Sequence, residues 1–95
     1  MELKDTAALM ASADYKERFK AEYLQTVMRH SKLCAMCAKW DAGELNFTPT
    51  CKRELYSVQM RVMDIYIGLL EYRAKQEGVE LPTVQLTDKG DFLVI

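Results

Sequence analysis

The sequence predicts a mainly α protein: an antiparallel αα-hairpin with a short N-terminal helix and a small C-terminal β-hairpin or extended tail, assembled as an oligomer. Three observations carry this prediction. Two long segments have helical periodicity, turn chemistry separates them, and the second segment is too apolar all round for the surface of a small monomer. The 95 residues read as a single domain, with an arm at 1–12, the helical hairpin at 14–77 and a tail at 78–95.

The arm places Leu3, Thr6, Ala7 and Met10 at helical spacing. Ser12, Ala13 and Asp14 interrupt it, and Asp14 with Glu17 forms a capping pair for a helix from about Tyr15 to Trp40. One arc of that helix holds Tyr15, Phe19, Tyr23, Val27, His30, Leu33, Cys34, Cys37 and Trp40, the face expected to close the hairpin. Gly43 ends the helix, and Thr48-Pro49 reads as the start of the next, which Gly78 closes after Glu77. In this third helix Tyr56, Met60, Met63, Ile67, Leu70 and Ala74 make one apolar seam, and Val58, Val62, Ile65, Leu69 and Tyr72 another. Together they cover roughly 240° of the circumference at 100° per residue. A polar line, Gln59, Tyr66 and Arg73, runs between them. One seam serves the hairpin and the other is free for a second subunit. Beyond Gly78, Pro82 blocks helix, Thr83 to Thr87 alternates, Asp88-Lys89-Gly90-Asp91 is turn chemistry, and Phe92 to Ile95 is apolar.

Composition narrows the function classes. The chain is 49% hydrophobic and 28% charged with a net charge of −1, which reads as globular and gives no global attraction to nucleic acid. No apolar run is long enough for a membrane span, and Met1 to Ser12 lacks the pattern of a signal peptide, so the expected location is the cytoplasm. Three cysteines there read as thiols.

Several residues invite chemistry. Cys34, Cys37 and Cys51 form a zinc alternative that ranks below packing as small buried hydrophobes, because His30 lies about 10 Å from Cys37 along the helix and is a poor fourth ligand. The lone histidine belongs to no credible triad, and no P-loop, dinucleotide fingerprint or HExxH occurs. The protein is therefore read as a binder without enzymatic activity or cofactor. Between Tyr15 and Trp40, six basic residues face only Glu17 and Glu22, and Arg18, Gln25, Lys32 and Lys39 recur by sevens with Arg29 beside them. A solvated basic face is the bland explanation, and an anion site at a subunit boundary the functional one. Arg73 has the same two options: a ligand contact, or a structural role by snorkelling or pairing with Glu22.

The motifs Tyr15-x-x-Arg18-x-x-x-Glu22 and Met63-x-x-Tyr66-x-x-x-Leu70-x-x-Arg73 resemble the short helical-hairpin proteins of gut bacteriophages and prophages related to a crAss-phage gene product, a family without an assigned biochemical role. In architecture the chain is also similar to the helical sponges with which phages sequester nucleotide immune signals between subunits. That resemblance implies a phage-encoded counter-defence protein holding a small anionic nucleotide; no sponge motif maps residue by residue, and side-chain chemistry alone nominates Arg18, Arg29 or Arg73 to grip phosphate and Tyr15 or Tyr66 to stack on a base. The alternatives are a protein-directed inhibitor or adaptor, for example against a CRISPR or restriction component of the host, and a structural phage accessory.

Overall fold

The computed structural model describes residues 1–87 and 91–94. A 3-10 turn at Leu3–Thr6 runs into a single helical turn, α1, at Ala7–Met10. Two long helices follow, α2 at Tyr15–Asp41 and α3 at Arg53–Glu77, and then two short strands, β1 at Val84–Leu86 and β2 at Phe92–Val94. The strands pair antiparallel, with Val84 opposite Val94 and Leu86 opposite Phe92. The predicted turn between them, and Ile95, lie outside the described residues. The long helices pack as a hairpin and set the 43 Å dimension of a molecule measuring 43 × 25 × 20 Å.

Local chemistry fixes the helix ends. The Asp14 carboxylate accepts the Lys16 backbone N–H at 3.0 Å, satisfying one orphan donor of the first turn. The predicted reciprocal contact from Glu17 is redirected: the Ser12 hydroxyl accepts the Asp14 N–H at 3.1 Å and donates to Glu17 at 2.9 Å. Gly43 and Gly78 adopt positive φ values of 73° and 70°, and the Val79 N–H returns to the Ala74 carbonyl at 2.8 Å, the left-handed closure expected of each glycine.

The start of α3 differs from the sequence expectation. Thr48-Pro49 lies in the connection, and the helix begins four residues later at Arg53, with Lys52 in the cap position. The Arg53 guanidinium donates to both Asp41 carboxylate oxygens at 3.0 Å. This fork joins the end of α2 to the start of α3 and holds Asp41 below the usual carboxylate range.

Packing forms two clusters on different faces of α2, about 120° apart around the helix. Phe19, Tyr23, Leu70, Ala74 and Val79 close the hairpin, extended by Val27, Ile67 and Leu81. Further along, Trp40 meets Tyr56 edge-on at 5.9 Å. On the other side Leu24, Met28 and Phe92 are buried under Met1, Leu3, Leu9, Val84 and Val94. The arm and the strands thus share one docking surface, which answers the marginal stability of an isolated two-stranded ribbon. The Met1 ammonium donates to the Phe92 carbonyl at 2.5 Å, and buried Thr6 accepts from Gln25 at 2.8 Å.

Tyr23 latches the hairpin by donating to Glu71 at 2.9 Å. Burial first, then the bond to Glu71 and its charge, push the Tyr23 hydroxyl from its ordinary value of 10.0 up to about 12. A raised folded-state pKa stabilises the fold fully below the unfolded value, and this contribution disappears as pH rises through the folded value. Stability should therefore fall between about pH 10 and pH 12. Denaturant unfolding across that range should show a steeper decline for the parent chain than for Tyr23→Phe.

Candidate functional site

The hairpin uses only one of the two seams of α3. Leu70 and Ala74 are buried and Tyr56, Met60, Met63 and Ile67 half-buried, whereas Val58, Val62, Ile65, Leu69 and Tyr72, joined by Leu55, remain more than half exposed. Between these faces lies the polar line. Its members are all exposed, Tyr66 by 42%.

Glu22 and Arg73 do not form an ion pair here, which corrects that structural option. Glu22 accepts the Tyr66 hydroxyl instead, while Arg73 pairs with Glu77 one turn away at 2.8 Å and lies over the Phe19 ring at 4.9 Å. Helix geometry explains the exchange, since Glu77 follows Arg73 at i+4 on the same helix and needs no partner reach. The acceptor bond to Glu22 raises the Tyr66 hydroxyl above its usual value, opposed in part by the charge of Arg73. Tyr66, Glu22, Arg73 and Phe19 therefore form one electrostatically linked group near the open end of the hairpin.

The remaining sequence candidates fall on the same side by helical phase. At 100° per residue, Tyr15, Arg18 and Arg29 all lie within roughly 40° of Glu22 on α2. Each is exposed, and Arg18 spends one N–H on the Ser12 carbonyl at 2.8 Å. From Tyr15 to Arg29 the rise is about 21 Å, a long open face. None of the five candidates lines the principal hollows of the molecule.

The basic stripe is broken where the sequence shows it continuous. Gln25 is half-buried beneath Thr6, because the arm crosses α2 at that level. Past the break, Lys32 stands 5.9 Å above the Phe92 ring and, with Lys39, Asn46, Phe47 and Leu86, lines a hollow of about 360 Å³. Sequence reading placed these lysines in the stripe but not in a pocket. Phe47, exposed in the loop, was the available signal.

The three thiols differ in setting: Cys37 is buried, Cys34 half-buried against His30 at 3.7 Å, and Cys51 exposed. Among the described residues no group of three or more His, Cys, Asp or Glu side chains is arranged to hold a metal. Burial pushes the Cys34 thiol up, the opposite of what a nucleophile requires. Among these residues, too, no helix is long and apolar enough to cross a membrane.

Comparison with known families yields a match to the Sequestin family model over residues 13–76, a span that takes in α2, the connection and all of α3 but its last residue. No curated protein and no solved structure matches the chain.

Proposed function

This chain belongs to the Sequestin family, and from that premise we propose that it is a phage-encoded, non-enzymatic counter-defence protein that binds and sequesters a small anionic nucleotide immune signal at subunit boundaries. The observation that carries this reading is the shared exposure of Tyr15, Arg18, Arg29, Tyr66 and Arg73 on one side of the hairpin. Arginine forks suit phosphate oxygens, and tyrosine faces suit bases. On one protomer this side has a floor and no opposite wall, so a second subunit supplies the enclosure that affinity requires.

The cationic residues do not depend on burial for their charge, and the acids near them serve as internal partners: Glu22 for Tyr66, Glu77 for Arg73. Glu77 takes only the Arg73 Nε–H, so a phosphate would bind through the guanidinium's remaining donors. The chemistry is retention without turnover.

Isothermal calorimetry against a panel of cyclic and ADP-ribose-type nucleotides tests the proposal. Saturable binding of one class, with the nucleotide recovered unchanged after heat release, is the expected result. Absence of binding across the panel would sink it, while capture of a host defence protein in place of a nucleotide would favour the inhibitor reading, for which the exposed seam of α3 is the supporting observation.

A further inference from the structure

The free face of α3 is patterned as well as apolar. Leu55, Val58, Val62, Ile65, Leu69 and Tyr72 succeed one another at alternating intervals of three and four residues, and each is 56–64% exposed. That alternation is the seam of a two-helix coiled coil, with Leu55, Val62 and Leu69 in one set of layer positions and Val58, Ile65 and Tyr72 in the other. The hairpin does not need this face, because the inner seam already closes against α2. The six side chains expose on the order of 700 Å², so two copies would bury roughly 1,400 Å² together, inside the size range of stable interfaces.

We propose that this face is a two-fold interface in which α3 packs antiparallel on α3 of a second copy. Charge decides the direction. Glu54 and Lys75 sit on one flank of the seam at its opposite ends, both exposed, and among the described residues neither has an ion-pair partner within the chain. Antiparallel packing sets Glu54 beside the partner's Lys75 and Lys75 beside the partner's Glu54. Parallel packing instead sets Glu54 against the partner's Gln59 and Gly68 against the partner's Arg73, forming no ion pair on either flank. In the antiparallel register Leu55 meets the partner's Tyr72, Val58 the partner's Leu69 and Val62 the partner's Ile65, so all six layers close around one two-fold axis. The helix dipoles oppose favourably as well.

The other flank carries Gln59, Tyr66 and Arg73. Antiparallel pairing brings this line from both protomers to the same side of the dimer, with Tyr66 and the partner's Tyr66 offset by about 7.5 Å along the helix axis. One subunit then furnishes the wall that the other lacks. The interface stands on the seam and its charges, and only the identity of what the groove holds rests on the sequestration reading.

Carbodiimide coupling of the full chain, followed by peptide mass spectrometry of the dimer band, tests the geometry. A Glu54–Lys75 cross-link is expected, and it can form only between chains because the two positions are about 31 Å apart along one helix. Ile65→Glu, at an exposed position, should weaken association roughly a hundredfold or more while the helical circular dichroism is unchanged. E54K should also weaken it, and E54K/K75E should restore it. A monomer at every concentration, or a dimer indifferent to Ile65→Glu and lacking that cross-link, overturns the interface. Nucleotide titration of the same samples keeps the two claims separate. A cross-linked dimer that binds nothing leaves the interface standing and removes the ligand, whereas full-affinity binding by monomeric Ile65→Glu leaves the ligand and removes the shared groove.

Discussion

Leu70→Ala should lower the unfolding free energy by about 3 kcal/mol, within the ~2–5 kcal/mol range of buried leucine truncations. Leu70 is 1% exposed and lies among Phe19, Tyr23, Ala74 and Val79, where α3 meets both α2 and the segment leaving it. Neither helix backbone can collapse into the gap without losing the Tyr23–Glu71 latch beside it, so the cavity penalty adds to the lost transfer energy. For a domain of this size such a loss is a large part of the total stability. Urea denaturation followed by circular dichroism measures it directly. Val62→Ala on the same helix should behave differently, because Val62 is exposed in the protomer. Its effect should appear as a lower midpoint at protein concentrations where the parent chain is associated and little change at high dilution, since only the associated state buries that side chain.

Arg73→Leu should separate binding from folding. Its ion pair with Glu77 is exposed and local, and its stacking on Phe19 leaves the aliphatic stem available to a leucine. The fold and the assembly should therefore persist. Nucleotide affinity should drop roughly ten- to a hundredfold, the range expected when a charge-assisted contact to phosphate is deleted. Calorimetry and light scattering on the same preparation read both quantities. Collapse of the fold would return Arg73 to a structural role, and unchanged affinity would remove it from the site.

The frame of the molecule was legible because its signals are local. Asp14, Gly43 and Gly78 govern backbone groups within a few residues of themselves, and the two long helices follow from periodicity between these stops. The late start of α3 was not legible, because it depends on a fork between Arg53 and Asp41 across the connection. Likewise, α2 appeared to have one buried face and one basic face. Leu24 and Met28 are buried on a second face only because the arm and the strands converge there, a pairing of the two ends of the chain that no spacing rule contains.

The candidate site was legible in part. Helical phase sufficed to put Tyr66 and Arg73 on one line and Arg18 and Arg29 on one face, but it assigned Tyr15 to the face that closes the hairpin, whereas the structure leaves Tyr15 exposed beside the arginines. It could not say that Glu22 would take Tyr66 and leave Arg73 to Glu77, since that choice depends on the axial register between two helices. The hollow beside Lys32 and Lys39 was hidden for a related reason: it needs Leu86 from β1 and Phe47 from the connection between α2 and α3, which approach α2 from separate parts of the chain.

Sequestration at a subunit boundary is tested most directly by native mass spectrometry of the protein taken straight from cells carrying an active nucleotide-signalling defence. The account predicts an even-numbered assembly that retains a small anionic nucleotide, and the same assembly without it for Arg73→Leu. A bare monomer, or an assembly that stays empty when such nucleotides are abundant, would contradict it.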